Sequence, residues 1–260
     1  MSLEKIINTF SHYYPMFLRG AGVTLLISMI GTVVGSAIGL LIGVIRTIPM
    51  PERGFKRYLL KTINAVLSIY IEIFRGTPMI VQAVVIFYGT AQAFGWELSP
   101  LFAGILIVSI NTGAYMSEIV RGGIVSIDKG QFEAAQAIGM SHAQTMFNIV
   151  LPQVIRNILP ATGNEFVINI KDTSVLNVIA VTELYFQANS ITGMNFDYFD
   201  TFFVASVIYL IMTFTITRIL RFAERKMDGP DNYIMYANQM QVETPEDALR
   251  RTNSGNVTNY

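Results

Sequence analysis

Residues 22–45 read GVTLLISMIGTVVGSAIGLLIGVI, an uncharged run. A helix needs roughly 20 predominantly apolar residues to cross the hydrocarbon core of a bilayer, so this stretch by itself places the chain in a membrane. Gly31, Gly35, Gly39 and Gly43 recur at every fourth position within it. Glycines at that repeat line one helical face and admit a neighbouring backbone closely, leaving open whether the neighbour is the same chain or a second copy. Working outward, four further segments qualify as spans: about 63–88, 101–125, 158–181 and 199–222. The fourth of the five spans is the most polar. The expected fold is therefore an all-α integral membrane protein with about five transmembrane helices.

Composition agrees. Of 260 residues 52% are hydrophobic and 14% charged, about half the charged share of a soluble domain. The formal net charge is zero, which offers no bulk attraction to nucleic acid. No cysteine is present, excluding disulfides, thiol catalysis and cysteine-ligated metal. His12 and His142 lie far apart in sequence and outside the apolar runs, so no metal site is expected. Residues 1–21 lack the basic start and short apolar core of a cleavable leader and read as an interfacial amphipathic segment. The membrane domain is expected over 22–226, with a polar, disordered tail at 227–260.

Basic residues orient the spans. The first link carries Arg46, Arg53, Lys56, Arg57 and Lys61, and the last span runs into Arg218, Arg221, Arg225 and Lys226, whereas 89–100 and 182–198 have no Lys or Arg. The N-terminus is expected outside and the C-terminus in the cytoplasm, which also places the link between spans three and four in the cytoplasm.

That link, 128–155, is built as a docking knob. Gln131 to Ile138 is a strong helix former with Glu133 in its opening turn, followed by Ala134 and Ala135. Gly139 supplies a left-handed helix end, Ser141 caps a second helix carrying Met146, Phe147 and Val150 toward one side, and Leu151-Pro152 is expected to close it. Two short helices meeting at a glycine give a surface that a groove can grip.

Ionisable groups at membrane depth are costly and face a cavity or a partner. Glu72 and Arg75 stand three apart on span two, and Glu118 and Arg121 on span three, so each pair can bridge along its own helix as a structural or gating contact. Gly76-Thr77-Pro78 breaks span two, which is tolerated beside a cavity. On span four Glu165, Asn169 and Asp172 share a face suited to an ammonium group, with Lys171 available for a carboxylate; Asn111 and Tyr115 of span three are expected opposite.

These linked motifs have a family likeness. Glu72 to Pro78, Asn111 to Tyr115 with Glu118 and Arg121, Lys171-Asp172-Thr173-Ser174, and the loop spacing Glu133-Ala134-Ala135, Gly139, Ile149 to Leu151-Pro152 resemble the polar amino-acid branch of bacterial ABC importer permeases. The resemblance spans about residues 17–227. It implies a pathway-forming subunit that pairs with a second copy or a sister permease and is driven by two ATPase subunits that bind ATP and Mg. An extracytoplasmic amino-acid-binding protein would deliver the solute. Many relatives carry Gln where this chain has Glu165, which points to a cationic or amine-rich ligand. No phosphate-binding loop is present, so no cofactor is expected in this chain and it is not an enzyme. The competing reading is a secondary transporter or channel, which would favour matched internal repeats; an intramembrane hydrolase would need a nucleophile beside a base, and Ser109 and Ser174 have no histidine in their spans.

Overall fold

A computed structural model describes residues 3–228, all of whose regular elements are helical. The chain divides into a unit ending at Arg221 and a second beginning at Phe222, whose described residues complete the last helix. The expected tail lies, past Asp228, outside the described residues.

Helix α1, Leu3–Arg46, is unbroken despite Pro15. The interfacial segment expected at 1–21 is thus helically continuous with the first span. Helices α2, Phe55–Gly76, and α3, Met79–Phe94, are bent by 115° at the Thr77-Pro78 break. Helix α4, Pro100–Val125, is capped by Ser99. The link following α4 holds α5, Lys129–Ala137, and α6, His142–Thr145. Helix α7, Leu151–Asp172, passes into a tight 3-10 turn, Thr173–Ile179. Helix α8, Leu184–Asn195, precedes α9, Tyr198–Asp228.

By length and composition α1, α4 and α9 can each cross a membrane, and α2 with α3 can do so as one bent span. The expected fourth span, represented by α7, carries Arg156, Glu165, Lys171 and Asp172 and is not among the described helices long and apolar enough to cross, so three spans, or four with the bent pair, stand where about five were expected. Residues 182–198, expected as a plain outer link, instead contain α8. Its Leu184, Ala188 and Ile191 are wholly buried against Phe17 of α1, Ile170 of α7 and Val204 of α9. Glu183, itself fully buried, caps α8 by accepting from the amides of Tyr185 and Phe186 and holds α9 through the Tyr209 hydroxyl.

The glycine stripe finds its neighbour within the same chain. A methyl group added at Gly31, Gly35, Gly39 or Gly43 would come under 3.0 Å from Val108, Thr112, Met116 or Val120 respectively. Both series ascend by four, so α1 and α4 run side by side in the same direction, and α2 with α3 must return the chain between them. That return agrees with the bent pair counting as one crossing.

At Gly39 the added carbon would lie 2.4 Å from Met116 Cβ and 2.8 Å from both Met116 C and Ser117 N, atoms that no rotamer change moves away. Gly22, with nothing within 4 Å, is the internal control. Gly39→Ala is expected to destabilise the subunit by about 1–3 kcal/mol through overpacking. Gly22→Ala should be neutral or slightly stabilising, because alanine is the better helix former. Unfolding in detergent measures both; equal effects would remove the stripe as the reason for the packing.

Candidate functional site

The docking link begins where Asp128 accepts from the Gly130 amide at 2.6 Å and starts α5. Gly139 has φ +77°, the left-handed conformation that ends the helix without a side-chain clash. Ser141 and Gln144 then close a reciprocal capping box at the start of α6. Ala135, Met146 and Val150 turn inward, the last two packing with Met116, Val120 and Ile124 of α4. Glu133, Ala134 and Gly139 stay exposed. Ile138 is 77% and Phe147 68% exposed, so the knob presents two large apolar tips outward. Phe147 therefore parts from the side shared by Met146 and Val150.

Leu151-Pro152 does not close the second helix. Met146–Val150 form a wide π turn, and the Leu151 amide reaches back to Met146 O, five residues away. Proline lacks the N–H that a regular helix would use, and the wider turn next to it lets the helix run on into α7 with Pro152 in its first turn. Ile149 and Leu151 are thereby part of a continuous helical path from the knob into the membrane.

The break in the second span is held from α4. Pro78 cannot donate to Phe74 O. That carbonyl instead accepts from Gln82 Nε2 at 3.0 Å and Asn111 Nδ2 at 3.2 Å. Gln82 Nε2 also lies 2.9 Å from Thr77 O, and Asn111 donates to Gln82 Oε1 at 2.9 Å. Tyr70 adds a bond to Ile110 O. Asn111 was expected to face a solute; the structure engages its amide in this clamp. Gln82 and Tyr70 were not anticipated. The lone amide of Gln82 in the apolar run after Pro78 was the available signal.

The expected Glu72–Arg75 pair is not formed. The Arg75 guanidinium lies 5.5 Å over the Tyr115 ring, so the arginine leaves its own helix for α4. Glu118 does pair with Arg121, at 3.1 Å, and accepts on its other oxygen from Arg46 at the end of α1. Arg46, a marker of orientation in the sequence, ties the C-terminal end of α1 to α4.

On α7 the expected face divides. Asn169 is buried and donates to Thr32 of α1 at 2.8 Å and Thr112 of α4 at 2.9 Å, making a three-helix junction. Glu165, one turn away, is 6% exposed and has no hydrogen-bond or ion-pair partner among the described residues. Lys171 and Asp172 are exposed and unpaired with each other. Lys171 lines a cavity of about 400 Å³ between α7 and α9. It also lines a smaller one, about 220 Å³, with Ser174, Tyr185 and Tyr209.

Comparison with known proteins adds a family. Residues 39–229 match the family described as binding-protein-dependent transport system inner membrane component. The chain is 39% identical over 214 residues to the glutamine transport system permease protein GlnP of Escherichia coli (strain K12), covering 82% of this chain and 93% of that protein. It is 30% identical over 217 residues to the arginine transport system permease protein ArtQ of Bacillus subtilis (strain 168), covering 84% and 94%. A solved amino acid ABC transporter with histidines superposes with a TM-score of 0.71 at 35% identity, over 84% of this chain and 96% of that one. The inward-facing MetNI methionine ABC transporter shares the fold, with a TM-score of 0.66 at 21% identity over 81% and 95%. A continuous knob-to-membrane helix, a proline-broken span clamped from its neighbour and a matched sequence over most of the chain converge: this protein belongs to the family of binding-protein-dependent transport system inner membrane components, in its polar amino-acid ABC importer branch, as a transport subunit whose ATPase is a separate chain.

Proposed function

We propose that this chain lines the pathway for an amino acid in an ATP-driven importer, with its N-terminus outside, its C-terminus in the cytoplasm, and a second copy or a sister permease beside it. Two ATPase subunits, carrying ATP and Mg, grip the link 128–155 through Glu133, Ala134, Ala135, Gly139 and the exposed tips Ile138 and Phe147. Ile149, Leu151 and Pro152 carry the movement into α7. An extracytoplasmic binding protein supplies the solute. The observation that carries the reading is the knob: two large apolar side chains held outward on a rigid, capped turn whose inner face is packed onto α4. Exposed apolar surface fixed in this way fits a partner's groove.

Glu165 is the solute contact best supported. It is a buried carboxyl without a hydrogen-bond or ion-pair partner among the described residues, and a cation beside it would offset the cost of its charge at that depth. A solute ammonium or guanidinium does so. Tyr115, Lys171 and Asp172 complete the proposed face, while Asn111 and Asn169 act through the helices they join. That relatives are named for glutamine and arginine supports a polar amino acid as the solute.

Two experiments test this. Gly139→Pro replaces a residue at φ +77° by one fixed near −65° and removes an amide bonded to Gln136 O at 2.9 Å. It should leave the subunit inserted but separate ATP hydrolysis from uptake in proteoliposomes; uptake at the unaltered rate would end the docking reading. Glu165→Gln should weaken uptake of a cationic amino acid by on the order of tenfold more than of a neutral one, the loss of about one charge-assisted bond. Equal loss for both would return Glu165 to packing.

A further inference from the structure

Arg218 and Arg221 entered the sequence reading only as basic residues marking the cytoplasmic side. In the folded chain both are exposed along the groove between α7 and α9, where they line the 400 Å³ cavity together with Lys171. Thr213, Phe214 and Thr217 complete the α9 wall, and no carboxylate lines the cavity. None of the three cations has a hydrogen-bond or ion-pair partner among the described residues. Asp172, the sequence neighbour of Lys171, lies outside the lining.

We propose that this cavity is an oxyanion site, occupied by a carboxylate or a phosphodiester. The geometry is that of a prepared anion seat. The guanidinium of Arg218 lies 4.8 Å over the Phe214 ring, which holds its plane and leaves its N–H edge available. Arg221, three residues on, presents its own fork on the same helical face. The hydroxyls do not compete for the role, because Thr217 donates to Thr213 O at 2.7 Å and Thr213 to Tyr209 O at 2.9 Å, within their own helix. The guanidinium charge therefore remains for a ligand, while that of Lys171 is shared with the neighbouring Asp172. A guanidinium pair recognises planar oxyanions in two-pronged fashion, and Lys171 adds a point charge farther along the groove. Gly163 of α7 packs on Leu220, which places Lys171 two turns farther toward the outer side than the two arginines. The cations thus step from the middle of α9 toward its cytoplasmic end.

One oxyanion source is the carboxylate of the solute on its way in; this arm rests on the import reading above. The other is the phosphodiester of an anionic lipid, for which the exposed Leu210 and Phe214 supply an acyl-chain wall. The lipid arm does not depend on transport.

The test uses the whole complex, with its ATPase and binding protein, as wild type, as Arg218→Gln/Arg221→Gln, and as Arg218→Lys/Arg221→Lys, each checked for an unchanged unfolding midpoint. In nanodiscs of mixed phosphatidylglycerol and phosphatidylcholine, native mass spectrometry counts the retained phosphatidylglycerol. In proteoliposomes, uptake of arginine and glutamine is compared with that of argininamide and glutaminamide; the binding protein is common to all samples, so a change in preference belongs to the membrane subunit. Loss of retained phosphatidylglycerol in the glutamine variant, only partly restored by the lysine variant, which keeps the charge without the fork, assigns the site to lipid. A fall of about tenfold in carboxylate-over-amide preference, likewise only partly restored by lysine, assigns it to the solute. If both readouts stay at wild-type values the oxyanion site is overturned. If the wild-type complex imports no amino acid, the import reading fails and the lipid count alone decides this one. Should the double glutamine variant unfold, Arg221→Gln carries the same two readouts.

Discussion

The close contact of α1 with α4 is the constraint on which the remaining structure depends. Four glycines in step with Val108, Thr112, Met116 and Val120 let two helices approach nearer than any side chain would permit. In a bilayer the lipid tails are as apolar as leucine, so helices are joined by close packing and by polar bonds rather than by escape from water. Polar bonds between membrane helices contribute about 0.6 kcal/mol each on average. Overpacking a single contact costs about 1–3 kcal/mol. Hence the stripe decides the arrangement, and the Asn169 junction with Thr32 and Thr112 fixes the position of α7 upon a pair already formed.

Once α4 is fixed, it organises its other neighbours. Asn111 and Tyr115 hold the end of α2, Glu118 gathers Arg46 and Arg121, and Met116, Val120 and Ile124 receive Met146 and Val150. The clamp at Phe74 O matters most, because a proline break inside a membrane leaves a carbonyl with no water to satisfy it. Two side-chain amides from different helices complete that carbonyl. The 115° bend is thus a held conformation rather than a loose joint, and its geometry depends on where α4 stands.

Much of this was legible in the sequence, in parts that follow from short-range chemistry. The apolar runs, the four-residue glycine repeat, the break at Pro78, the left-handed Gly139 and the Ser141 cap each depend on a few adjacent residues. What the sequence concealed depends on partners far along the chain. Arg75 stands three residues from Glu72, yet its guanidinium lies over the Tyr115 ring of α4, a partner forty residues along the chain. Helix α8 escaped notice because its buried residues do not alternate with a strong polar face; they are enclosed by three helices. Leu151-Pro152 read as a stop, since a proline normally ends what precedes it, but a π turn absorbs the missing donor. Arg218 and Arg221 read as a boundary marker, and only the packing of Gly163 on Leu220 shows that they share a groove with Lys171.

The same packing determines what a force on the docking link can do. A knob joined to the membrane by a flexible segment would absorb displacement by bending. Here Ser141 and Gln144 stiffen the entry, the helical path from His142 continues through the π turn into α7, and Met146 and Val150 are enclosed with α4 residues at 0–4% exposure. Interiors packed at this density move as bodies rather than deforming gradually. Under the proposed docking, displacement at Phe147 would reach α4 and α7 together. Those two helices carry Asn111, Tyr115, Glu165 and Asn169, and through Asn111 they hold the bend of the second span. One rigid connection from an exposed turn thus reaches the polar groups in the membrane without any intervening segment of its own.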